Sequence, residues 1–137
     1  VGTFLNHSEN RFSNFEDLKK AVERATNVGL KTLIFAADTN ELSQVVQLKP
    51  TYAAYEPPEL VGSTTTSVAQ ARPEVIGQAA EISKAAGIPL IVGAGVHTRE
   101  DIKKSLELGA VGVAVATDIV KAQDPKKELL DLIQGFI

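Results

Sequence analysis

Short apolar runs separated by stretches of helical period recur five times, and this alternation restricts the fold more than any other feature of the chain. The runs are Val1–Leu5, Lys31–Ala37, Tyr52–Tyr55, Pro89–Val92 and Val111–Val115. Leu33-Ile34-Phe35, Leu90-Ile91-Val92 and the last run are apolar on both faces, as parallel strands covered by helices must be. Ser13-Asn14-Phe15-Glu16 has the form of a capping box. The helix it predicts carries Phe15, Leu18, Ala21, Val22 and Ala25 and ends at Gly29. Asp38 or Thr39 caps a shorter helix that Pro50 stops, and Pro73 suits the first turn of a helix reaching about Ala86. Thr98 to Asp101 opens another before Gly109. Asp124-Pro125 opens the last, with Leu129, Leu130, Leu132 and Ile133 expected on its buried side. Pro57–Ala71 reads as an unusually long polar segment.

Five βα units leave two architectures: an open doubly wound sheet, or the larger part of a (β/α)8 barrel, whose eight units need roughly 220 residues. The first strand is followed by Asn6-His7-Ser8-Glu9, with no glycine, and not by the Gly-rich turn common in open sheets. The 137 residues include no methionine and start in an apolar run, which predicts the C-terminal part of a longer protein. A net charge of −3, from 14 basic and 17 acidic residues, argues against nucleic acid or an anionic membrane as the main partner. No apolar run approaches the roughly 18 residues of a membrane span. The absence of cysteine excludes disulfides, thiolate metal sites and cysteine nucleophiles, and it fits a reducing, cytoplasmic setting. Two histidines leave little room for a metal centre, and no cofactor motif is present.

In parallel βα folds the residues just after each strand form the functional face. Here these are His7-Ser8-Glu9, then Ala37-Asp38, Glu56, Gly93-Ala94-Gly95 and Ala116-Thr117-Asp118. An imidazole and a carboxylate at one mouth are the parts for moving protons on and off carbon and oxygen. Small residues there let backbone N–H groups approach a phosphate. Each feature has an ordinary structural use on its own: a solvated histidine, a strand-end charge, a tight turn. Their occurrence at successive strand ends is what points to a site. His97, beyond the glycine turn, reads as loop surface.

Asn6-His7-Ser8-Glu9-Asn10-Arg11 resembles the His-Ser-Glu signature of triosephosphate isomerase. Ala54-Tyr55-Glu56-Pro57-Pro58-Glu59-Leu60-Val61-Gly62 resembles that family's catalytic glutamate and lid in their archaeal form. Gly93-Ala94-Gly95-Val96, Ala116-Thr117 and Lys121-Ala122-Gln123-Asp124-Pro125 continue the archaeal pattern in order, so the resemblance covers the whole chain. It implies residues 1–137 are a single partial domain: five consecutive βα units of a TIM (β/α)8 barrel, from its fourth strand to its final helix. The first three units, with their asparagine and lysine, would lie outside it. The implied activity is interconversion of dihydroxyacetone phosphate and D-glyceraldehyde 3-phosphate without metal or organic cofactor.

The resemblance makes Glu56 the base and His7 the neutral electrophile, with Pro57 to about Thr66 as the lid. Val61, Gly62, Gly95, Ala116 and Thr117 become contacts to the substrate phosphate. Ser8 and Glu9 become supporting residues, Glu9 toward the absent lysine. It also implies a homo-oligomer, a dimer or tetramer, and a missing N-terminal half as partner. Two positions depart from the family pattern. Thr64 stands for a lid glycine, and Asp118 puts a carboxylate where a small residue is usual, beside the expected phosphate. The second reading is a non-catalytic half-barrel serving assembly or phosphate binding. The third, an aldolase-like barrel, lacks a Schiff-base lysine at any of these strand ends.

Overall fold

Each strand of the single sheet pairs in parallel with the next one in the chain, in the order β1-β2-β3-β4-β5. The computed structural model describes residues 1–63 and 65–137. The strands are β1 (Gly2–Leu5), β2 (Lys31–Ala36), β3 (Tyr52–Tyr55), β4 (Leu90–Val92) and β5 (Gly112–Val113). A doubly wound sheet reverses its order at a switch point, whereas here every strand adds to the same edge. Because crossovers between parallel strands are right-handed, each one then carries its helix to the same face, as in a barrel wall. The helices are α1 (Phe15–Asn27), α2 (Thr39–Val45), α3 (Val68–Ala71), α4 (Pro73–Ala85), α5 (Arg99–Glu107), α6 (Thr117–Val120) and α7 (Pro125–Leu132).

Helix starts follow side chains that accept otherwise unpaired N–H groups. Asp38 accepts from Glu41 N at 2.8 Å, Asp124 from Lys127 N at 3.0 Å, and Thr98 and Asp101 form a reciprocal capping box. The expected box of Ser13 and Glu16 is not formed. Asn14 caps α1, accepting from Asp17 N at 2.9 Å while its amide donates to the Asp17 carboxylate. Asn14, with extended backbone, reaches Asp17 N directly and needs no help from Ser13.

The main core lies between sheet and helices: Leu18 and Val22 from α1, Leu42 and Val45 from α2, Ile76 and Ala79 from α4, against Ile34, Ala53, Tyr55, Leu90 and Val92. A smaller cluster joins Val96, Ile102 and Leu132. The last helix departs from expectation. Leu132 is buried, but Leu129, Leu130 and Ile133 are 50, 50 and 41% exposed. Leu132 packs in the Ile102 cluster, while the other three stay about half in solvent. The segment from Pro57 to Ala71 is less polar in place than in composition. It contains a one-turn 3-10 helix, Pro58–Leu60, and then α3, whose Val68 and Ala69 are buried. The last strand is shorter than its apolar run, and Val111 at its foot is 55% exposed.

Candidate active site

His7 is aimed by the residue before it. Asn6 has φ 63°, left-handed backbone that asparagine tolerates better than most side chains, and it is buried. Its Oδ1 accepts from Phe12 N at 3.2 Å, and its Nδ2 donates to Phe35 O at 3.1 Å and to Glu41 Oε1 at 2.9 Å. Glu41 in turn accepts from Ala37 N at 2.7 Å and from the Arg11 guanidinium. These contacts lock the turns after β1 and β2 together. The His7 ring stands edge-on to Phe35 at 4.9 Å. Its Nδ1 accepts the Glu9 N–H at 3.3 Å, which places the imidazole proton on Nε2.

Nε2 lies 3.0 Å from Glu56 Oε2. The contact is in ion-pair range but not aligned as a hydrogen bond, so Oε2 is a buried oxygen without a hydrogen-bond partner among the described residues. Glu56 leaves β3 with its N–H on Ala36 O, and the residue is 7% exposed. Burial pushes its carboxyl above the ordinary glutamate value; His7 opposes that shift and Glu9 adds to it. The carboxylate can sit there because the facing residue is Gly93, where a Cβ would come 2.7 Å from Glu56 Oε1.

Beyond Glu56 the chain turns through Pro58–Leu60, and Glu59 pairs with Arg72 at 2.8 Å. Ser63 Oγ accepts from Thr66 N at 3.1 Å; Thr64 lies outside the described residues. The segment then docks on the turn after β4. Val68 N donates to Ala94 O at 3.2 Å, and Ser67 Oγ donates to Asp101 Oδ1 at 2.6 Å. Gly95, at φ 65°, passes so close that a Cβ would meet Thr66 O at 2.3 Å, so no other residue fits there unmoved. Asp101, at the start of α5, also accepts from Gln70, Thr98 and His97 N. Burial is the largest single influence on its carboxyl and pushes upward, but these hydrogen bonds together hold it below the ordinary value.

One cavity of about 410 Å³ gathers His7, Glu9, Glu56, Val61, Gly62, Gly95, Ala116 and Thr117. Ser8 is not part of its lining; its Oγ is buried with no hydrogen-bond partner among the described residues. Glu9 contributes its backbone N–H to His7, while its carboxylate is largely exposed. Asn6, Glu41 and Asp101 were not singled out as site residues from the sequence. Asn6 adjoins the signature and was legible in principle, whereas Glu41 and Asp101 carry no local signal beyond helix capping. His97, expected on the loop surface, is instead only 14% exposed, with Nδ1 2.6 Å from Asp118 Oδ2. Burial in the turn after β4 turns its ring toward the next strand end.

Fold and site together define a barrel-type α/β protein with a histidine and a buried glutamate in contact at the strand mouth. The sequence model of the triosephosphate isomerase family matches residues 1–136, and the chain belongs to that family. It is 38% identical over 134 residues to the triosephosphate isomerase of Thermoplasma volcanium, covering 98% of this chain and 62% of the relative. It is 42% identical over 137 residues to that of Metallosphaera sedula, covering 99% and 59%. The chain thus spans about 60% of the length of these curated archaeal relatives. Among solved structures it is similar to the thiamine phosphate pyrophosphorylase from Pyrococcus furiosus. The TM-score is 0.68 at 18% identity, over 98% of this chain and 58% of the other, a likeness of fold alone. The five units are therefore consecutive units of a TIM barrel.

Proposed function

We propose that the protein carrying this chain interconverts dihydroxyacetone phosphate and D-glyceraldehyde 3-phosphate by proton transfer through an enediolate. The observation that carries this reading is the 3.0 Å approach of His7 Nε2 to Glu56 Oε2 at the mouth of one cavity. Glu56, with its carboxyl raised by burial, takes a proton from the carbon beside the carbonyl. His7, a neutral imidazole presenting Nε2–H, polarises that carbonyl and passes protons between the two oxygens; this family is itself the type case of that pair. Val61, Gly62, Gly95, Ala116 and Thr117 take the phosphate, and the segment from Pro57 to Thr66 closes over the intermediate. Ser8 and Glu9 support the site. None of the five strand ends carries a lysine to offset the enediolate charge, so the 137 residues by themselves turn substrate over very slowly. The working protein is a cytoplasmic homo-oligomer in this reading.

The test is steady-state kinetics on the protein with Glu56→Asp and His7→Gln. Both groups act where charge changes in the transition state, so each variant should lose about 100-fold or more in kcat with KM changed only a few-fold. Parental kcat in either variant removes that residue from the mechanism.

A further inference from the structure

Asp118 lines the cavity beside Ala116 and Thr117, and a carboxylate so placed would repel an anion seated there. Its Oδ2 is instead taken by His97 Nδ1 at 2.6 Å, with the two side chains 28 and 14% exposed. His97 is anchored in turn. Its backbone N–H donates to Asp101 Oδ2 at 3.1 Å, so the ring rides on the start of α5. Its other ring nitrogen, Nε2, is buried with no partner among the described residues. The contact to Asp118 is thus the imidazole's one polar contact among the described residues.

We infer that His97 is a positioning residue whose role is to hold the Asp118 carboxylate off the phosphate seat, tying the turn after β4 to the turn after β5. This rests on the reading that Gly62, Gly95, Ala116 and Thr117 receive a phosphate. The pair therefore sets how strongly a doubly charged ligand binds while touching neither the carbonyl nor the carbon-bound proton. Asp118 lines the cavity even while its Oδ2 is held by His97; freed of that contact, the carboxylate can turn further toward the seat and repel a dianion there. A merely structural contact predicts something else, a loss that removing Asp118 cannot repair.

Titration calorimetry with glycerol 3-phosphate, which has the phosphate but no carbonyl, separates the two. His97→Ala should bind about tenfold more weakly than the parent, and Asp118→Ala at least as tightly as the parent. The double variant should match Asp118→Ala, so that the second substitution cancels the first. His97→Asn, whose amide nitrogen stands near the place of Nδ1, should stay within about threefold of the parent. A double variant as weak as His97→Ala, or a His97→Ala variant with parental affinity, overturns the inference. If His97→Ala does not fold, an Asp118→Ala variant that binds more than about threefold more weakly than the parent overturns it. A parent that does not bind the probe overturns the phosphate reading and this inference with it, whereas a parent that binds without the cancelling pattern overturns the inference alone.

Discussion

Glu56 is a carboxyl whose burial disfavours its ionised form. An unfolded chain ionises this side chain near the ordinary glutamate value of 4.5, while the folded protein, having buried it, ionises it at higher pH. Between those two values the folded state binds more protons than the unfolded one, so stability falls as pH rises through that window and stays lowered above it. Glu56→Gln keeps the shape and removes the charge. It should raise the melting temperature at pH 7 by roughly 2–4 °C, about 1 kcal/mol in a chain of this size. The gain should vanish below about pH 4, where the parent's carboxyl is protonated in both states. Melting curves at pH 7 and pH 4 check this, and an unchanged or lowered value at pH 7 contradicts the burial argument.

Asp101 shows how separate elements are made to act as one frame. Its two oxygens accept from Ser67 and Gln70 at α3, from Thr98 at the start of α5 and from His97 N, so the segment after Glu56 is fastened to the turn that carries Gly95. Asp101→Ala would leave several of these buried donors unpaired. The expected cost is about 3 kcal/mol of stability, with the segment from Pro57 to Ser67 loosened as well. Because the folded carboxyl lies below the ordinary aspartate value of 3.8, its contribution is fully present above that value and is lost as pH falls through the lowered one. Parent and variant should therefore differ in melting temperature at pH 7 and converge in strong acid. Equal melting temperatures at neutral pH would show that the hub is not stabilising.

In the molecule as a whole, the sheet ends at β1 and β5, and both strands present unpaired edge groups along with apolar side chains. Phe4 is 72% exposed and Val111 55%, and Leu129 and Leu130 of α7, with Ile133 and Phe136 in the 3-10 turn that follows it, leave an apolar face. At about 25 cal/mol per Å², each 100 Å² of such surface covered by another molecule gains about 2.5 kcal/mol. The 137-residue chain in solution should self-associate, seen by light scattering as species larger than 14.6 kDa. Phe4→Lys, which places a charge on the open face of β1 beside Phe35, should reduce it. A monodisperse monomer at high concentration would contradict the edge argument.

Periodicity and end signals along the chain determined the five βα units, because strand and helix patterning is a local property of which residues recur at two or at 3.6. The signatures around His7 and Glu56 were likewise legible, since the residues that define them are contiguous. Strand order was not. Patterning alone left a barrel wall and a doubly wound sheet open, two folds built from the same local units; the resemblance implied the barrel, and the pairing of each strand with its successor bears it out. The exposure of α7 was not legible for a related reason: an apolar face looks alike in sequence whether or not anything covers it. The one-residue shift of the first cap, from Ser13 to Asn14, turned on which side chain actually reached Asp17 N. Asn6 to Glu41, Ser67 to Asp101 and His97 to Asp118 join residues 35, 34 and 21 positions apart. Contacts of that range are set by the crossover geometry that brings successive strand ends to one mouth, and the tertiary structure alone decided them.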